Sequence, residues 1–168
     1  MPGEGSRRPP RPPKPLKARA IALLARREFS RAELRSRLAA GSDGAAPELA
    51  EIDAVLDDLA TQGLLSDARF ATSVVRQKSG GYSQRAIGAT LKARGVSGDA
   101  ATQALAGNEI DDQDAMVALW RRRFGKAPAN DREKARQVRF LQSRGFSLSA
   151  IFKLLRNPPL DEPGDGDQ

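Results

Sequence analysis

The chain has 168 residues and carries 28 Lys and Arg against 21 Asp and Glu, a formal net charge of +7. It contains no Cys and no His, which removes disulfides, thiolate nucleophiles, Cys-based zinc sites and the imidazole group as base or ligand, and with them Ser–His–Asp and Cys–His catalysis. Apolar residues make up 39% and aromatics 5%, enough for a core of ordinary density, and the bias toward Leu, Ala and Arg favours helix over sheet.

Residues 1–15 hold most of the prolines and no apolar face, so they are expected to be extended and mobile. The first apolar run, Ala20–Ala25, is far too short for a membrane span or a signal sequence, and a cytoplasmic protein is expected. From there to residue 157 the apolar spacing is helical almost throughout. The end from Pro158 onward, with Asp161, Glu162, Asp165 and Asp167, is expected to be disordered and acidic. The first fifteen residues carry a net +3 and the acidic end a net −4. Residues 16–160 therefore hold +8, more than the whole chain. That surplus points to a polyanionic partner.

One local pattern recurs three times: an aromatic followed by Ser, an aliphatic four residues after the Ser, and Leu four later. The copies are Phe29-Ser30 with Leu34 and Leu38, Tyr82-Ser83 with Ile87 and Leu91, and Phe146-Ser147 with Ile151 and Leu155. Ser at the N-cap accepts a hydrogen bond from a free amide of the first turn. The aromatic before it packs on the residue at N4 as a hydrophobic staple, which fixes the angle at which the chain enters the helix. Glu33 stands at N3 of the first copy, where a capping box with Ser30 is expected. Each copy follows an apolar pair, Leu23-Leu24, Val74-Val75 or Phe140-Leu141, which reads as a helix, a tight turn and a stapled second helix.

Further helices complete the blocks. Residues 48–62 place Leu49, Ile52, Leu56 and Leu59 on one stripe, with Gly63 as the stop. Gly95 ends the stapled helix of the second block, and Ser97 is expected to cap another reaching Leu105. Residues 111–125 form a helix with Met116, Val117, Trp120 and Phe124 on one side; the pattern leaves open whether it belongs with the second or the third block. Helices at 131–144 and 147–156 follow. The fold class expected is all-α, with about three tandem three-helix modules at 16–65, 66–107 and 108–157 in an elongated array that can curve.

The stretch Gly63-Leu64-Leu65-Ser66-Asp67-Ala68-Arg69-Phe70-Ala71 resembles the signature of the bacterial RecX family. The same holds for Val74-Val75-Arg76, Gly81-Tyr82-Ser83, Ile87, Leu91 and Lys92-Ala93-Arg94-Gly95-Val96, in order and spacing. The resemblance implies a non-enzymatic modulator of the RecA recombinase, mainly inhibitory, with consequences for recombination, DNA repair and the SOS response. It further implies binding along the groove of the RecA–DNA filament, with RecA itself and single-stranded or duplex DNA as partners. A monomer without cofactor or membrane attachment is expected.

Candidate contacts are the cations of the middle and last blocks. Arg76, Lys78, Arg85, Lys92 and Arg94 cluster in the middle block, where Arg85 and Lys92, seven apart, share a face away from Ile87 and Leu91. Such groups suit phosphates or acidic side chains, and equally an ordinary solvated face. Arg121-Arg122-Arg123 fan around a helix, so only part of the run, represented by Arg122, can meet one surface. The last block adds Arg132, Lys134, Arg136, Arg139, Arg144, Lys153 and Arg156 to a broad positive face, with Arg132, Arg136, Arg139 and Lys153 as its candidate contacts. Trp120 and Phe124, one turn apart, suit the core better than a base-stacking platform. Asp67, after a potential Ser66 cap, suits a helix start. The acids at Asp57-Asp58 and Asp111-Asp112-Asp114 lack the Gly-bearing calcium loop, so no metal site is expected. Gly80-Gly81 lacks the ending of a phosphate loop. The competing reading is a helix-turn-helix DNA-binding regulator. Only residues 84–86 resemble the opening turn of a recognition helix; residues 31–33 and 148–150 do not.

Overall fold

Three serines fix three helix starts. Ser30 Oγ accepts the Glu33 amide at 3.0 Å, Ser83 Oγ that of Ala86 at 3.2 Å, and Ser147 Oγ that of Ala150 at 3.3 Å, each cap being worth about 1 kcal/mol. In all three the preceding aromatic shares a hydrophobic cluster with the aliphatic at N4: Phe29 with Leu34, Tyr82 with Ile87, Phe146 with Ile151. A computed structural model describes residues 15–41, 47–109 and 111–159. The Pro/Arg-rich head up to residue 14 and the acidic end from residue 160 lie outside the described residues, and so do the expectations made for them.

Among the described residues there are nine helices and no strand: α1 (Leu16–Leu24), α2 (Arg31–Ala39), α3 (Leu49–Thr61), α4 (Asp67–Lys78), α5 (Gln84–Ala93), α6 (Asp99–Ala106), α7 (Asp112–Arg123), α8 (Asp131–Ser143) and α9 (Leu148–Arg156). The protein is all-α and built of tandem helical modules. No helix of the described residues is long and apolar enough to cross a membrane. The chain divides into two compact units between Ser66 and Asp67.

In the first unit, α1–α3 bury Ala20, Phe29, Leu34, Leu38, Ile52, Leu56, Leu59 and Leu65. Leu49, expected on the apolar stripe of α3, is instead 52% exposed; it is the first residue of the helix, before the stripe turns inward. The helix ends as Gly63 takes φ 70°, with the Leu64 amide reaching back to the Leu59 carbonyl, a Schellman turn open at little cost only to Gly. Arg35 grips Asp53 with two bonds of 2.7 and 3.0 Å, joining α2 to α3. That hydrogen-bonded guanidinium, with Arg31 adding charge, holds the Asp53 carboxyl below its ordinary value. The bond from Lys17, and a second from Gln62, do the same for Asp58.

The second unit has two cores. Phe70, Ala71, Val74, Val75, Ile87, Leu91 and Val96 fill the space among α4–α6. Asp67, as expected, stands in the first turn of α4. Helix α6 departs from expectation at its start: Gly98, not Ser97, is the N-cap, at φ 65° and ψ −143°. The chain has just buried Val96 through a Schellman turn at Gly95, and reversing from there requires a backbone that only Gly adopts without strain. The α7 helix packs with α8 and α9: Met116, Leu119 and Trp120 join Leu141, Phe146, Ile151 and Leu154. The apolar spacing alone leaves its block open; its core contacts are with the third. Fully buried Trp120 donates its Nε1–H to Gln137 at 2.8 Å, and Gln137 in turn donates to the Lys126 carbonyl.

The turn before α5 and the turn between α8 and α9 are locked together. The Ser83 amide donates to the Arg144 carbonyl at 3.0 Å. Ser83 Oγ donates to the Gly145 carbonyl at 2.9 Å, while accepting from Ala86. Asp112 accepts the Gln84 amide at 2.7 Å, and Ser79 Oγ donates to Asn108 at 2.7 Å. The Arg144 guanidinium lies 4.7 Å from the Tyr82 ring centre and 5.2 Å from that of Phe140, one ring from each core. Gly145 sits at φ 90°, and a Cβ there would lie 2.5 Å from both Ala86 Cβ and Ser83 Oγ.

Two measurements follow from these contacts. Gly145→Ala combines left-handed backbone strain with a clash in a packed joint, and should cost on the order of 2–4 kcal/mol in urea unfolding; a loss under about 0.5 kcal/mol would contradict the joint. Asp53 has a folded pKa below its unfolded value of 3.8. Its stabilising contribution is therefore present above that value and lost as pH falls through the lower folded one. Asp53→Asn should lower the melting temperature at pH 6, and the difference should shrink as pH falls below the ordinary carboxylate value and the Asp53 carboxylate is protonated in the folded state. A gap independent of pH would assign the effect to packing instead.

Candidate functional site: a cationic face on α8

The site is set by the two sides of α8. Gln137 and Leu141 point inward. Arg132, Arg136 and Arg139, spaced by four and three residues, share the opposite side and are all exposed. They line an open concavity of about 500 Å³ with Asn130 and Glu133. Asn130 Oδ1 accepts the Glu133 amide at 2.9 Å, and Glu133 Oε2 accepts the Ala129 amide at 2.8 Å. This reciprocal box fixes the start of the helix, and it aims the one carboxylate of the lining at backbone. The result is a row of three guanidiniums on a rigid element, with no apolar residue in its lining. Chemically it can bind phosphate or carboxylate oxygens through paired N–H bonds.

Three of the ten candidate cations thus come together; the other seven lie on other elements. Lys78, the last residue of α4, lies 4.1 Å from the Tyr82 ring centre beside the joint. Arg85 is on α5, exposed, with Nη2 donating to the Gly145 carbonyl at 3.3 Å. Lys92, also on α5, and Arg76, on α4, are exposed. Arg94 is the half-buried C-cap of α5, with its guanidinium 5.9 Å from the Phe70 ring centre. Arg122 is exposed on α7 and Lys153 on α9.

The opening turn of α5 bears on the helix-turn-helix alternative. A recognition helix presents that turn to the base edges of a groove. Here the Ser83 and Gln84 amides, the Ser83 hydroxyl and Arg85 are bonded to the α8–α9 turn and to Asp112. Sequence reasoning passed over one group of cations and misjudged the place of another residue. Arg144, expected on the positive face of the last block, rests instead against Tyr82 and Phe140. Arg19, Arg26 and Arg37 of the first unit carried one legible signal, the seven-residue spacing that places Arg19 and Arg26 on one helix face.

Residues 66–105 match the family described as "RecX, second three-helix domain" and residues 109–155 match "RecX, third three-helix domain". Among curated relatives, "Regulatory protein RecX" of Leptothrix cholodnii is 45% identical, over 87% of this chain and 90% of its own length. The protein of that name from Chromobacterium violaceum is 42% identical, over 84% of this chain and 90% of its own length. The fold is also similar to that in the crystal structure of RecX from Lactobacillus salivarius, with a TM-score of 0.62 at 19% identity, covering 84% of this chain and 92% of that one. These relatives carry the name of a regulatory protein rather than of an enzyme. With both three-helix domains matched and close to half the residues shared over most of the length, the chain belongs to the RecX family.

Proposed function

We propose that this protein regulates the RecA recombinase, mainly as an inhibitor, by binding the RecA–DNA filament through the cationic faces of its helical modules. The observation that carries this reading is the arginine row of α8, Arg132, Arg136 and Arg139, held rigid in a member of the RecX family. A filament offers repeated anionic groups along a thread. A row of guanidiniums on one helix side suits such a target better than a closed pocket does. Arg76, Lys92, Arg122 and Lys153 would add to the positive field on their own elements, and the surplus of +8 over residues 16–160 would speed encounter with a polyanion. The helix-turn-helix reading is less favoured, because the α5 turn that would read bases is engaged inside the second unit.

The test uses the full chain and RecA on single-stranded DNA, with ATP hydrolysis and filament length followed at sub-stoichiometric protein. Arg132→Ala, Arg136→Ala and Arg139→Ala combined should weaken inhibition about tenfold or more. The salt dependence of binding should also fall, by roughly 0.7 in log–log slope for each lost phosphate contact. Unaltered inhibition by a triple variant of native helicity would reject α8 as the contact. Sequence-specific duplex binding without any filament effect would reject the reading as a whole.

A further inference from the structure

The first unit carries a second cationic concavity, between α1 and α2, of different chemistry. It is an open hollow of about 650 Å³, with Arg19, Arg26 and Arg37 beside an aliphatic lining of Ala22, Leu23 and Ala40. The other cations among the described residues of this unit are matched with acids: Lys17 with Asp58, Arg27 with Glu33, Arg31 with Asp57 and Arg35 with Asp53. Arg19, Arg26 and Arg37 have no carboxylate partner among the described residues. Three guanidiniums gathered at one hollow repel one another until an anion enters it.

We propose that this hollow docks an acidic peptide segment that carries an aliphatic side chain. Guanidinium forks bind planar carboxylates through paired hydrogen bonds, and clusters of arginine recognise acidic motifs. The lining adds an aliphatic subsite that phosphate recognition does not need. Nucleic acid fits less well on two counts. Single strands are held by aromatic stacking platforms, and no aromatic residue lines this hollow. A duplex, some 20 Å across, cannot enter a recess of this size between two short helices, whereas one side chain and its acidic neighbours can. The α8 face is the reverse case, arginine-rich with no apolar residue in its lining. The two sites therefore select different partners, and this proposal stands independently of the function assigned to α8.

Fluorescence anisotropy on the full chain tests it, with three labelled probes: a peptide of alternating Asp and Glu interrupted by two leucines, the same peptide with serines for the leucines, and a twelve-residue oligothymidylate. The leucine peptide should bind, more weakly as salt rises, and the serine peptide should bind about three- to tenfold less tightly. Arg19→Ala with Arg37→Ala should weaken the leucine peptide at least about tenfold. Ala22→Glu, which places an acid in the hollow, should do the same. The triple alanine variant of α8 should leave peptide affinity unchanged, which separates a failure here from a failure of the reading for α8. No binding of the leucine peptide by the unaltered chain, or binding by both first-unit variants as tight as by the unaltered chain, overturns the proposal. So does a loss confined to the oligothymidylate, which would make nucleic acid the occupant.

Discussion

The architecture depends on how short helices are made to start at a defined angle. Helices of eight to thirteen residues are marginal in isolation, because nucleation is unfavourable and few bonds follow it. Ser30, Ser83 and Ser147 each satisfy one orphan amide, and the aromatic before each serine buries itself beside the aliphatic one turn inside. Entry angle and core contact are thereby set by the same three or four residues. The remaining helices then need only an apolar stripe to complete a three-helix core.

The same device does a second task in the middle block. Ser83 is 1% exposed, so its hydroxyl must both accept and donate to be satisfied. It accepts from its own helix and donates to the Gly145 carbonyl. A cap that also bonds to a neighbouring turn converts local helix chemistry into a fixed relation between two cores. Arg144 reinforces it by resting against Tyr82 and Phe140 at once.

Much of this was legible in the chain. The serine-led repeat located three helix starts, the glycines at 63 and 95 located two ends, and the alternation of Leu and Ile located the cores. What escaped was non-local or stereochemical. Ser97 looked like a cap because Ser is a good one, but the backbone reversal after Val96 needed Gly98. Leu49 fitted the stripe by period, yet lies at the exposed first turn. The site was less legible than the fold. A count of cations cannot tell Arg94, half-buried and leaning on Phe70, from Arg132, exposed on α8. The arginines at 19, 26 and 37 come together only when α1 is laid against α2. Family likeness drew attention to residues 60–97, while the row on α8 lay beyond that stretch.

The docking of the α8–α9 turn on the α5 cap changes what sort of repeat protein this is. Arrays whose blocks touch lightly lose structure block by block, each with its own protection against hydrogen exchange. Here Gly145 and Ser83 share hydrogen bonds across the two cores, so residues 67–156 should open as one cooperative foldon, with the slowest amides of both cores exchanging at one common free energy. Both cores that share this fate lie in the unit that begins at Asp67.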